Sequence, residues 1–222
     1  MRLPAYAAMV LAAMLSSAAP EAGTGGCTPM TFEESLEGVS VLCPEWILEN
    51  QVLMDVVFRG FDGELHRGQL VVDARVAGDL QLVFAQMLLL GFPLESVTPI
   101  CQYGWSDGLS MAANNTSGFN YRTVAGTDRL SRHAYGLAID INPVLNPCWS
   151  GDRVSPQGAL YDPSAPGTLY DGHPVVNLFR FLGWRWGGDW QDRDYQHFDK
   201  QLETADLEGV EHRRSWPTWR VL

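Results

Sequence analysis

Residues 53–91 read LMDVVFRGFDGELHRGQLVVDARVAGDLQLVFAQMLLLG. Leu53 to Phe61 is rich in β-branched and aromatic residues, Asp62-Gly63 is a hairpin signal, and Glu64 to Val72 continues as a second strand. Asp73 then offers its carboxylate as the cap of a helix running to about Leu90, which Gly91 ends. Val76, Leu80, Val83, Phe84, Met87 and Leu88 recur at helical spacing and define its core-facing stripe. A hairpin feeding directly into a helix predicts an α+β fold rather than a bundle or a pure β sandwich.

Outward from that unit the chain stays irregular. Ser96 to Tyr103 reads as a strand, 105–117 as a loop, and Gly136 to Asn142 as a short strand ended by Asn142-Pro143. Residues 143–172 hold many of the prolines and glycines and read as a long excursion. Pro174 to Leu182 reads as a helix with Pro first and Gly183 after its end. A final strand closes the Trp- and Gly-rich stretch from Trp184 to Phe198. The expected architecture is a single α+β domain with a small antiparallel sheet, flanking helices and long loops.

The chain has 222 residues, 46% of them apolar and 18% charged, which suits a globular protein. A net charge of -11 and a pI near 4.7 argue against a nucleic-acid partner and against a polybasic membrane surface. At the N-terminus, Arg2 precedes an apolar run from Ala5 to Leu15 and small residues from Ser16 to Ala19. That is a secretory signal over residues 1–19, too short to span a membrane. A lead segment follows at 20–50, then the main domain at 51–222. The expected location is therefore secreted, periplasmic or in the cell envelope, as a monomer without a membrane span. In an oxidising compartment, Cys27, Cys43, Cys101 and Cys148 are expected to form two disulfides. The pairing Cys27–Cys43 with Cys101–Cys148 is one of three connectivities.

Two stretches carry chemistry. The first runs Ser131-Arg132-His133-Ala134-Tyr135-Gly136-Leu137-Ala138-Ile139-Asp140. The second holds Gly187-Gly188-Asp189-Trp190 and then Asp194-Tyr195-Gln196-His197. Two imidazoles and one carboxylate (His133, His197 and Asp140) suit a catalytic zinc with a fourth position open for water. Asp194, three before His197, is the natural base for that water. In a straight strand positions i and i+3 point to opposite faces, so both reaching one metal requires a bend there.

These motifs resemble the zinc D-alanyl-D-alanine carboxypeptidases of the VanY/VanX type and the related L-alanyl-D-glutamate peptidoglycan endopeptidases. The family pattern S-x-H-x-x-G-x-A-x-D is filled by Ser131, His133, Gly136, Ala138 and Asp140, and its later E/D-x-x-H by Asp194 and His197. Phe119-Asn120-Tyr121-Arg122 ahead of the first motif and the Trp-Gly stretch ahead of the second also look like the family. The resemblance implies a hedgehog/D-Ala-D-Ala-peptidase-like fold and one catalytic Zn2+ on His133, Asp140 and His197. It implies Asp194 as general base and Arg122 as the group steadying the scissile carbonyl. It places Ser131 at the substrate, while Tyr135 and Trp190 are read from their own chemistry as lining the peptide cleft. Capping by Ser131 and aromatic core packing by Tyr135 or Trp190 remain the alternatives. The implied partner is a peptidoglycan stem peptide, cut as a carboxypeptidase, endopeptidase or dipeptidase. A wall-peptide binding module without turnover is the non-enzymatic rival, and a hedgehog-type signalling domain is a remote one. His66, His173 and His212 are read as surface or capping residues.

Overall fold

The computed structural model describes residues 29–202. The expected signal at 1–19, the Cys27 end of the first disulfide and His212 lie outside them. Two short helices come first: α1, Phe32–Ser35, and α2, Glu45–Glu49. Thr31 caps α1 through its side chain, and Glu34 answers in a capping box.

The hairpin and helix form as the patterning requires. β1, Gln51–Arg59, pairs antiparallel with β2, Leu65–Asp73. Met54, Val56 and Phe58 alternate to the buried face of β1, with Leu70 of β2 opposite Met54 and Val72 buried in the same cluster. The turn is longer than a two-residue hairpin and spans 60–64. The Asp62 carboxylate accepts from Glu64 N at 3.0 Å and pairs with His66 at 2.9 Å, folding the tip back on itself. α3, Ala74–Leu90, starts at Asp73, whose carboxylate accepts from Arg75 N at 2.9 Å, and ends at Gly91 with φ 64°. Val76, Leu80, Val83, Phe84 and Met87 are buried along it, and Leu88 is half-buried at the margin. Ala77 joins the same face.

The next stretch departs from expectation. Only Ser96–Val97 forms a strand, β3, which pairs in parallel with β4, Asn115–Thr116. Ile100–Tyr103 coils into a 3-10 turn closed by Gly104 at φ 59°. The segment read as loop holds α4, Asp107–Ala112, because Ser106 caps it by accepting from Leu109 N. A six-residue helix is too short to leave a periodic apolar signature.

The sheet that matters has three antiparallel strands in the order β5-β9-β8. These are Ala138–Asp140, His197–Lys200 and Trp184–Trp186. Ile139, Phe198 and Trp186 turn to the core that the hairpin and α3 share. Between β5 and β8 the excursion folds a small hairpin, β6 (Cys148–Ser150) with β7 (Arg153–Ser155), and then α5, Pro174–Phe181. Buried Asn142 and Asn146 pin this excursion through backbone carbonyls, including that of Gly167 at 3.1 and 3.0 Å. Tyr161 stacks on Tyr195 at 3.8 Å between ring centroids. The fold is α+β, as expected, and among the described residues no helix is long and apolar enough to cross a membrane.

The Cys101–Cys148 disulfide is not formed. Cys148 is a free thiol at the start of β6, facing the segment around Asp194. Cys101 sits in the 3-10 turn with its Sγ 3.9 Å from Met30 Sδ. Cys43 is also a free thiol. The fold sets Cys101 beside Met30 and Cys148 beside the Asp194 segment, so the two expected partners face different neighbours, which spacing along the chain could not reveal.

Candidate metal centre

The register of the small sheet builds the site. Asp140 lies directly opposite His197, although the two are far apart in sequence. Ile141 N donates to Gln196 O at 3.0 Å, so the Asp140–His197 pair is of the non-hydrogen-bonded kind, in which side chains stand closest. The Asp140 Oδ1 to His197 Nδ1 distance is 3.0 Å.

His133 arrives from a different element. Ser131 Oγ accepts from His133 N at 3.3 Å and starts a 3-10 turn over Arg132–Tyr135, which Gly136 closes at φ 69°. A Cβ on Gly136 would collide with the Gln51 side chain and Asp73 N, so the turn seats against the hairpin only because this residue is glycine. Gly136 O also accepts from Asp73 N at 3.0 Å, which joins the His133 turn to the start of α3. His133 Nδ1 meets the Gly118 carbonyl at 2.6 Å, which fixes the proton on that nitrogen and leaves Nε2 as the inward atom. Nε2 lies 3.1 Å from His197 Nδ1 and 3.1 Å from Asp140 Oδ2.

Three donors thus converge, all buried, with every ligand atom within 4.8 Å of the others. Vertices of a tetrahedron 2.0–2.1 Å from its centre stand about 3.3–3.4 Å apart, so the donor set and spacing fit a metal ion. Each imidazole has a second partner holding its orientation: the Gly118 carbonyl for His133, and Asp199 for His197, with Asp199 Oδ2 3.5 Å from Nε2. Asp199 is held in turn by a bidentate contact from Arg185 at 2.9 and 2.8 Å. Sequence reading passed over Asp199, yet a period of two from His197 places it on the same strand face.

Charges among these groups are strongly perturbed. Burial alone would raise the Asp140 carboxyl, but His133 and His197 override it and hold it well below the usual carboxylate range. Burial would lower His197, but hydrogen bonds to Asp140 and Asp199 override it and raise its pKa to about 10. Asp199 is also pushed up by burial, then held well below its ordinary value by His197 and Arg185.

Asp194 sits just before β9. His197 N donates to Asp194 O at 3.2 Å, and this tight turn supplies the bend that three-residue spacing demanded. Asp194 N donates to Gly187 O at 3.1 Å, and a Cβ on Gly187 would strike Asp194 O. The first glycine therefore admits Asp194 into its place. The Asp194 carboxyl is buried, its Oδ1 has no hydrogen-bond partner, and burial raises its pKa against the pull of His197. Cys148, which sequence reading had assigned to a disulfide, lies opposite Asp194 across an antiparallel bridge. Trp149 N donates to Arg193 O and Tyr195 N to Pro147 O, which again marks a close, non-hydrogen-bonded pair.

The other expected residues divide. Trp190 places its ring 5.3 Å from that of His197 and stays 36% exposed, at the solvent edge of the centre. Ser131 spends its hydroxyl on the His133 turn. Tyr135 packs against Trp46 at 6.1 Å in the apolar cluster around Ile47, Val71 and Phe119. Arg122 lies on the strand-like segment beside the His133 turn, its carbonyl accepting from Ser131 N at 3.0 Å, and its guanidinium reaches Asp107 at 3.0 Å.

No curated protein and no solved structure matches the chain. Residues 125–200, which carry His133, Asp140, Asp194 and His197, match the family model described as D-alanyl-D-alanine carboxypeptidase.

Proposed function

We propose that this chain is an exported zinc metallopeptidase that hydrolyses peptidoglycan stem peptides, as a D-Ala-D-Ala carboxypeptidase or an L-Ala-D-Glu-type endopeptidase. The observation that carries the reading is the convergence of His133 Nε2, His197 Nδ1 and the Asp140 carboxylate at 3.0–3.1 Å, with the unpartnered Asp194 Oδ1 buried nearby. His133, Asp140 and His197 would hold the ion. Zinc bound there would polarise the scissile carbonyl and make a water nucleophilic near neutral pH.

The chain's own groups supply the rest. Asp194 Oδ1 takes the proton of the attacking water and returns it to the leaving amide nitrogen. Burial suits it to both roles, because a carboxyl with a raised pKa holds a proton longer than a solvated one. Arg122 holds the carbonyl oxygen as negative charge develops, which stabilises the transition state more than the ground state. Gly118 O and Asp199 keep the two imidazoles in the tautomer and orientation that present Nε2 of His133 and Nδ1 of His197. Trp190 forms the solvent edge at which a peptide enters.

The test is mass spectrometry of purified muropeptides after incubation with the zinc-loaded chain. Loss of a terminal D-Ala identifies a carboxypeptidase, and a cut within the stem identifies an endopeptidase. Free D-Ala-D-Ala as the sole substrate would instead identify a dipeptidase. Intact muropeptides that bind but are never cleaved would overturn the enzyme reading.

A further inference from the structure

Arg122 rides on a hairpin-like loop beside the His133 turn. The loop is closed by Asn120 N to His133 O and by Ser131 N to Arg122 O, both at 3.0 Å, and it narrows to Val124 N on Arg129 O at 2.8 Å. A long cationic side chain on such a loop would sample many rotamers. A different element restrains it. Asp107, in the first turn of α4, places Oδ2 3.0 Å from Arg122 Nη2, while its Oδ1 faces Asn120 Nδ2 at 3.5 Å. Asp107 therefore reaches two residues of the loop, Asn120 and Arg122. Arg122 Nη1 leans on Thr123 O at 3.4 Å, whereas Nε is buried and has no partner. The Nε is thus walled off, and the Nη edge is the part of the fork that can meet a ligand oxygen.

We propose that Asp107 is a positioning residue for Arg122: by holding Nη2 it fixes one edge of the guanidinium, so that the Nη–H donors it leaves over stay presented to an anionic oxygen of the peptide substrate. This rests on the peptidase reading, in which that oxygen belongs to the scissile carbonyl. Both residues precede the segment that matches the family model, so they are outside what that likeness covers. A salt bridge between partly exposed groups adds little stability. Its consequence is orientation, and a guanidinium aimed in advance loses less freedom when the transition state forms.

The experiment compares Asp107→Asn, Asp107→Glu, Arg122→Ala and the Asp107→Asn/Arg122→Ala double variant in the zinc-loaded full chain, with muropeptide as substrate. Asp107→Asn keeps the size of the side chain, and Ser106 still caps α4, so the fold is retained. The expected result is a fall in kcat of about tenfold to a hundredfold, with KM changed less than about threefold. Asp107→Glu should recover part of the loss. In the Arg122→Ala background, Asp107→Asn should have no further effect, because the residue it positions is gone. A second readout does not depend on turnover. The Arg122 Nε–Hε signal in nitrogen-15 NMR should be narrow and slowly exchanging in the native chain and averaged in Asp107→Asn.

Unchanged kcat in Asp107→Asn, additive losses in the double variant, or identical Arg122 signals would overturn the proposal. A native chain that cleaves no peptide counts against the peptidase reading alone. The NMR comparison then decides the role of Asp107 on its own.

Discussion

The hairpin with α3 and the small sheet with its motif loops are built by opposite rules. In the first, Met54, Leu70, Val72, Leu80, Val83 and Phe84 are buried because they are apolar, and almost any close-packing set would serve. In the second, His133, Asp140, His197 and Asp199 are buried although they are polar, and each survives there only through specific partners. The first half holds the fold with interchangeable contacts. The second gathers charge in one buried place, with a donor set that could hold a metal ion. Substitutions in the two halves should therefore fail in different ways.

The largest effects are expected in the buried polar cluster, beginning with Asp194→Asn. It removes the proton acceptor while leaving the volume unchanged, so turnover of muropeptides should fall by a factor of about 10²–10⁴. Zinc content, measured by elemental analysis, should stay near that of the native chain. His197→Ala should abolish both, since it deletes a ligand. Full activity in either variant would show that the buried polar cluster is structural and that the contrast between the halves is false.

Phe84→Ala is the matching change in the apolar half. Phe84 is buried in the core that α3 shares with the hairpin, so truncation should cost about 3–5 kcal/mol in urea unfolding. The folded fraction should still bind zinc with native stoichiometry. A loss of zinc from well-folded Phe84→Ala protein would mean the halves are less separable than their chemistry suggests. Gly136→Ala probes the seam between them. The side chain would clash with Gln51 and Asp73 N at a residue with φ 69°, costing on the order of 1–3 kcal/mol. Because the same turn carries His133, this one change should lower unfolding stability and zinc affinity together.

The seam also shows what the sequence could reveal. The α3 stripe, the Asp73 cap and the Gly91 stop were legible because helices repeat their signal over many residues. The donor set was legible because His133, Asp140, Asp194 and His197 stand at spacings that recur in a known family. What could not be read is what depends on register between distant strands. Asp140 meets His197, and Cys148 meets Asp194, only once the chain has folded back. The Cys101–Cys148 pairing failed for the same reason: a thiol count and a compartment do not say which elements become neighbours. Asp107 escaped because α4 is too short to announce itself, so its carboxylate read as part of a loop.

Cys148→Ala sharpens the polar half at smaller scale. The Cys148 thiol is pushed well above its ordinary pKa by burial first and then by Asp194, so it stands neutral beside the carboxyl. Its removal deletes one weak polar neighbour of Asp194. The acidic limb of the pH–rate profile should then shift by a fraction of a unit, while zinc content stays unchanged.

The smallest effect concerns His173, where a polar residue serves the apolar half. Its Nδ1 accepts from Val175 N at 3.2 Å and so caps α5. The ring packs edge-on against Phe92 and Tyr170, and burial lowers its pKa. Only the neutral ring can accept that hydrogen bond. A protonated ring would also place positive charge at the positive end of the helix. The folded pKa lies below the unfolded value of 6.5, so the contribution is fully present above about pH 6.5 and is lost as pH falls through the folded value. The cap is worth about 1 kcal/mol. His173→Asn keeps a capping oxygen that does not titrate in this range. Urea midpoints at pH 7.5 and pH 5 should show a larger acid loss in the native chain than in His173→Asn. The metal centre contributes equally to both chains, so the difference between their slopes isolates His173. Equal slopes would mean that the cap tolerates protonation and that α5 is held by Val175, Val176 and Phe179 alone.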